Sequence, residues 1–160
     1  MRRVLIAAGL VLSLAGCGPS KEAAANLTTA QTFMTQNAGK PGIKTLPSGV
    51  QYEVVKSGPA DGRSPRKTDL VKVHYEGKLI TGEVFDSSYE RGAPASMKLG
   101  SLIPAWIEAL QLMRPGDEWM LYVPPEQGYG ERGAGPIPPN SVLVFRVELI
   151  DVLPSSYRER

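Results

Sequence analysis

The stretch GEVFDSSYERG, residues 82–92, places one carboxylate, Asp86, directly behind the aromatic Phe85, with Arg91 close after it. Asp86 could be a general acid, a metal ligand or the first residue of a turn. Few partners are available elsewhere, because His74 is the one histidine and Cys17 the one cysteine. A zinc centre takes three or four ligands drawn mostly from those types, so no metal is expected. A Ser–His–Asp triad would have to use His74, and no G-x-S-x-G turn accompanies it. GYGERGAG, residues 128–135, falls in a loop and not between a strand and a helix, so it does not read as a phosphate cradle. Neither covalent catalysis nor a cofactor is indicated.

What remains is aromatic: Tyr75, Phe85, Trp106, Tyr129 and Phe145. The ordinary fate of such residues is the core. Trp106 at the start of a helix and Tyr129 in a Gly/Pro loop are unusual core centres, however. An apolar cavity with a few polar groups is the common form of a small-ligand site. On spacing alone both readings stay open.

The elements that must position these residues are mostly strands. In VQYEVV, Val50, Tyr52 and Val54 alternate with Gln51, Glu53 and Val55. In VKVHYEGKL, Val71, Val73 and Tyr75 alternate with Lys72, His74 and Glu76, the period of a strand with one wet face. On that pattern His74 is outward polar surface. Thr81-Gly82 signals a hairpin. SMKLG (96–100) is a short strand, EWMLYV (118–123) a longer one, and VLVFRVELIDVL (142–153) the last, with Leu143, Phe145, Val147 and Leu149 inward. PAWIEALQLM (104–113) is the one helix expected inside the domain. Pro104 suits a first turn, and Trp106, Ile107, Leu110 and Met113 share a face. Pro115-Gly116-Asp117 ends it. A sheet with one apolar face needs a cover, so the expected fold is α+β, a bent antiparallel sheet wrapped over helix 104–113. Residues 22–38 form a further, weakly amphipathic helix with Leu27, Ala30, Phe33 and Met34 in a stripe. It packs on the domain, pairs with a second copy or acts as a spacer.

The amino terminus reads differently. MRR is basic, and the apolar run behind it is shorter than the roughly 20 residues that span a bilayer. This is the pattern of a secretory signal. LAGC at 14–17 resembles a bacterial lipobox. That resemblance implies cleavage before Cys17, a diacylglycerol on its sulfur and an acylated amino terminus. A plain signal with an incidental cysteine is the alternative. A lone cysteine forms no intrachain disulfide. Gly18 is not an acid, and by resemblance to Gram-negative lipoproteins this favours the outer membrane, facing the periplasm. The organisation expected is therefore a leader at 1–16, a lipid-anchored tether and short helix at 17–44, one domain at 45–154 and a polar tail at 155–160. The formal charge is +2, and the surplus is Arg2 and Arg3 of the leader. The rest is neutral on balance, with no basic stripe for nucleic acid.

Several motifs in order, VHYEGKLITGEVFDSS, LIPAWIEALQLMRPGDEW, YVPPEQGYGERGAG and IPPNSVLVFRVELI, resemble the FKBP-type peptidyl-prolyl isomerases. The match runs from about Leu46 to Leu153. NAGKPGIKTLPSGVQYEVVKSG (37–58) is similar to the lead-in of the macrophage infectivity potentiator (Mip) branch. The dimerisation segment of that branch is absent or reduced to one helix, which implies a monomer or weak dimer. The resemblance implies a peptidyl-prolyl cis-trans isomerase without cofactor, acting on proline-containing polypeptides of the envelope and inhibited by macrolides of the tacrolimus and rapamycin type. It assigns Trp106 to the floor of a proline pocket, and Tyr75, Phe85 and Phe145 to its walls. Leu102 and Ile103 run along one side, with the Ile103 backbone N–H bonding the peptide carbonyl. Tyr129 offers its hydroxyl and Ile137 caps the loop side. Asp86 points at the pocket, bonded to Tyr75 and paired with Arg91. Asp86, Tyr75 and Tyr129 carry the catalytic roles.

Three positions depart from the family pattern: Ala95 where an aromatic is frequent, Ala134-Gly135 where some members have a loop histidine, and Pro136 where a branched residue is common. They bear on substrate preference and drug affinity. The competing uses of the same groove are a non-catalytic holdase and a surface interaction module.

Overall fold

The computed structural model describes residues 20–154. The expected leader at 1–16, Cys17 and the tail at 155–160 lie outside the described residues. The chain begins with helix α1 (Lys21–Ala38), then strands β1 (Lys44–Thr45), β2 (Gln51–Lys56), β3 (Leu70–Leu79), β4 (Val84–Ser87) and β5 (Ala95–Lys98). Helix α2 (Pro104–Leu110), β6 (Glu118–Val123) and β7 (Leu143–Leu153) complete it. The strands form one antiparallel sheet in the order β1-β2-β6-β7-β3-β4, with β5 also paired to β3. The fold is α+β, as the strand and helix periods predict.

The alternation in β3 sets the core. Val71, Val73 and Tyr75 are buried while Lys72, His74 and Glu76 are half-exposed. Leu143, Phe145, Val147 and Leu149 of β7 bury the same side, and Ala105, Trp106, Ala109 and Leu110 of α2 pack into them. Each fully buried aliphatic side chain of this kind contributes about 1.5–3 kcal/mol.

Helix α2 stops at Leu110, short of the expected Met113. The Leu112 and Met113 N–H groups bond three residues back, to Ala109 and Leu110, which tightens the turn. The Asp117 carboxylate then accepts from the N–H of Arg114 at 2.8 Å and of Gly58 at 2.6 Å. Met113 stays buried, and Leu112 turns outward.

Burial in β2 does not follow its apolar alternation. Val54 is exposed and Gln51 is buried. The register of β2 against β6 shifts between Val54 and Lys56, and α1 covers the Gln51 side. The Asn37 amide donates to Gln51 Oε1 at 2.9 Å, and Gln51 Nε2 donates to the Met34 carbonyl at 2.8 Å. Of its three possible fates, α1 packs on the domain, although Leu27 remains exposed.

Candidate functional site

Where the open ends of β3, β4, β5 and β7 meet the start of α2, side chains enclose a cleft of about 570 Å³. Such a volume is ordinary for a small-ligand site. Pro104 starts α2, and the extended backbone of Ile103 just before it turns Trp106 inward in the first turn. The rings follow one another at right angles. Tyr75 meets Trp106 at 5.2 Å and 90°, Trp106 meets Phe145 at 5.3 Å and 82°, and Phe145 meets Phe85 at 5.6 Å and 89°. Edge-to-face pairs of this kind add about 0.5–1.5 kcal/mol each beyond burial. Trp106 and Phe145 are each 4% exposed, so protein covers nearly all of both rings.

Every residue expected at the pocket lines this cleft except Arg91. Tyr75, Phe85, Trp106 and Phe145 form the rings, with Asp86, Leu102 and Ile103 beside them and Tyr129 and Ile137 on the loop side. Arg91 stands behind Asp86. Asp86 Oδ1 accepts from Arg91 Nη1 and Asp86 Oδ2 from the Tyr75 hydroxyl, while Arg91 Nη2 donates to Tyr75 Oη at 2.9 Å. The guanidinium also lies over the Tyr75 ring, 5.5 Å from its centroid.

Burial pushes the Asp86 carboxyl up, but the hydrogen bonds from Tyr75 and Arg91, with the charge of Arg91, outweigh it and hold the group below its usual range. Burial, and then the bond to Asp86, push the Tyr75 phenol up against the opposing pull of Arg91. At neutral pH the pair is a carboxylate and a neutral hydroxyl, bonded to one another and to Arg91.

The site also uses residues that the sequence did not single out. Gly77 of β3 lies opposite Phe145 in one register and Asp86 in the other. A Cβ there would sit 2.7 Å from Phe145 Cε1 and from two carbons of the Phe85 ring. Glycine at this point lets both rings fold over the strand. A lone glycine inside an alternating strand is the signal that could have marked it. Ser88 clamps Tyr75 from the other side: its Oγ accepts the Tyr75 N–H at 2.8 Å and its N–H donates to the Tyr75 carbonyl at 2.9 Å. Met97 and Ser101 extend the lining past Leu102. His74 lies outside the cleft, half-buried, its Nδ1 2.9 Å from Ser88 Oγ and its ring stacked on Tyr89.

These features define a small α+β domain with an apolar cleft floored by the indole of Trp106 and ringed by Tyr75, Phe85 and Phe145. Residues 61–150 match the family model described as FKBP-type peptidyl-prolyl cis-trans isomerase, and residues 17–54 match the domain amino-terminal to it. The chain belongs to the FKBP-type peptidyl-prolyl cis-trans isomerase family.

The chain is 52% identical over 128 residues to the peptidyl-prolyl cis-trans isomerase Mip of Coxiella burnetii, covering 79% of this chain and 55% of that protein. It is 45% identical over 134 residues to the outer membrane protein MIP of Legionella longbeachae, covering 83% and 57%. It thus spans a little over half the length of these relatives. A crystal structure of a peptidyl-prolyl cis-trans isomerase from Pseudomonas syringae superposes with a TM-score of 0.78 at 38% identity, covering 86% of this chain and all of that one.

Proposed function

We propose that this chain accelerates rotation about X–Pro peptide bonds, and so the folding of proteins in the cell envelope. The observation that supports this most is the run of perpendicular rings around an apolar floor at Trp106. Resonance gives the C–N bond double-bond character and a barrier of about 18–20 kcal/mol. Uncatalysed X–Pro exchange takes roughly tens to hundreds of seconds.

No bond breaks in this reaction, so no nucleophile or cofactor is required. Twisting the amide ends the resonance and reduces its charge separation. An apolar cleft therefore favours the twisted imide over the planar one, which is differential binding of the transition state. A barrier lowered by about 7–8 kcal/mol corresponds to roughly a 10⁵–10⁶-fold acceleration. In this reading the prolyl ring rests on Trp106 between Tyr75, Phe85 and Phe145. Tyr129 and the Ile103 N–H meet the flanking carbonyls, and Ile137 closes the loop side. Asp86, held by Tyr75 and Arg91, fixes one wall and the field beside the bond. Macrolides of the tacrolimus type would occupy the same cleft. The test is isomerisation of an X–Pro peptide by the full chain with and without tacrolimus, where drug-sensitive turnover is expected and drug-insensitive turnover would argue against this cleft.

We also infer that Cys17 carries a lipid after removal of residues 1–16, which would place the domain at the outer membrane facing the periplasm, as a monomer or weak dimer. LAGC supports it, as does the name of the Legionella relative. No helix among the described residues is long and apolar enough to cross a membrane. Radiolabelled palmitate should enter the intact chain and not Cys17→Ser, and equal labelling of both would remove the anchor.

A further inference from the structure

The loop that carries Tyr129 and Ile137 into the cleft is tied to helix α1 by two side-chain hydrogen bonds, and one residue, Asn140, joins both: its side chain to the helix and its backbone to the loop. Asn140 has φ 52°, the one non-glycine positive φ among the described residues, and is 4% exposed. Its backbone N–H donates to the Gly130 carbonyl at 2.9 Å, beside Tyr129. Its side-chain amide donates to the Ala23 carbonyl in the first turn of α1 at 2.9 Å. One turn on, Asn26 Nδ2 donates to the Pro139 carbonyl at 2.8 Å. Within the loop, Ala134 and Ile137 exchange two backbone hydrogen bonds of 3.0 and 2.9 Å. Gly133 brings its backbone so close to the Ile137 carbonyl that a Cβ would lie 2.2 Å from it. The loop is therefore a stiff unit, and its place depends on what holds its ends.

We propose that Asn140 is a positioning residue: bonded to α1 by its side chain and to Gly130 by its backbone, it makes the docked helix set where Tyr129 and Ile137 stand in the cleft. The floor at Trp106 and the Tyr75–Asp86–Arg91 cluster belong to other elements and are untouched by this tie. Its loss therefore loosens Tyr129 and Ile137 over an intact floor, which weakens the hold on peptide more than it slows the rotation step. The kinetic part of this rests on the isomerase reading above; the structural part does not.

Asn140→Gly in the full chain is the direct test. Glycine accepts a φ of 52° and keeps the backbone N–H, so the amide bond to Ala23 is lost without strain but with a freer backbone, an effect that Asn26→Ala does not share. Loss of one such buried bond is expected to raise KM for an X–Pro peptide about five-fold, with a smaller fall in kcat. Amide hydrogen exchange at Ala134 and Ile137 should quicken, while Leu121 and Val147 in the sheet keep their protection. Asn26→Ala, which removes the neighbouring tie, should shift KM and exchange in the same direction, and it carries the test alone should Asn140→Gly fail to fold. Faster exchange confined to α1, with Ala134, Ile137 and KM unmoved, would overturn the inference by reducing Asn140 to a helix clasp. An unaltered chain without isomerase turnover would remove the isomerase reading instead, and the exchange measurement would still decide this one.

Discussion

The indole of Trp106 and the ring of Phe145 stand at 82° with centroids 5.3 Å apart, which joins the first turn of α2 to the start of β7. Tyr75 and Phe85 continue the run on either side. The cleft thus has an apolar floor whose shape is set by ring edges, and each ring comes from a different element. Replacing one ring opens the floor to water without removing a strand.

Trp106→Leu should therefore keep the fold and lose the floor. Removing the indole forfeits about 1.5–3 kcal/mol of apolar contact, or roughly a 10- to 150-fold loss in kcat/KM. Peptide isomerisation measures it, beside a circular-dichroism melt that reports the fold. Unchanged turnover in a folded variant would take Trp106 out of the site.

Asp86 separates charge from shape. Asp86→Asn keeps an oxygen for the Tyr75 hydroxyl but loses the charge-assisted partner of Arg91, and Asp86→Leu loses both. Arg91 and Asp86 are both well exposed, so solvent screens their charge pairing. Turnover should fall slightly in the first variant and clearly further in the second, which loses the bond to Tyr75 as well. Equal, wild-type rates in both would leave Asp86 as no more than a turn residue.

The same pair predicts a broad pH plateau. Asp86 sits below its ordinary 3.8, so its bonds are present above that value and are lost as pH falls through the lower folded value. Tyr75 sits above its ordinary 10.0, so its donor hydroxyl persists beyond that pH and is lost only as pH rises through the higher folded value. Peptide isomerisation should be flat between about pH 5 and 9 and should fall only outside that window. A step near neutrality would mean that a proton transfer belongs to the mechanism.

Gly77→Ala should push Phe85 and Phe145 apart, because the new methyl would lie 2.7 Å from both rings. Overpacking of this kind costs about 1–3 kcal/mol. A lower melting temperature should come with a loss of turnover larger than that of a Val71→Ala control, which lies in the core away from the rings. A full-activity Gly77→Ala would show that the ring pair has slack.

The alternation of Val71, Val73 and Tyr75 and the apolar side of 104–113 carried the α+β fold in plain view, because one buried face leaves a period in the residues themselves. The cleft was less open to reading. Spacing alone left Trp106 and Tyr129 between core and site, and Asp86 between acid, ligand and turn. Their assignment came from the family resemblance. Gly77 was silent because its contribution is a missing atom, visible only once the register sets it against Phe145. The burial of Gln51 left no mark in the strand's alternation, because its cover is α1, which meets it through Asn37. Asn140 gave no sign for the same reason: its partners Ala23 and Gly130 meet it only in the folded chain.

The most direct measurement is the cis/trans exchange rate of a short X–Pro peptide, followed by exchange spectroscopy with and without catalytic amounts of the full chain. The account predicts exchange far above the uncatalysed rate, sharply reduced in Trp106→Leu and suppressed by tacrolimus. Exchange at the uncatalysed rate in the presence of folded protein would contradict it.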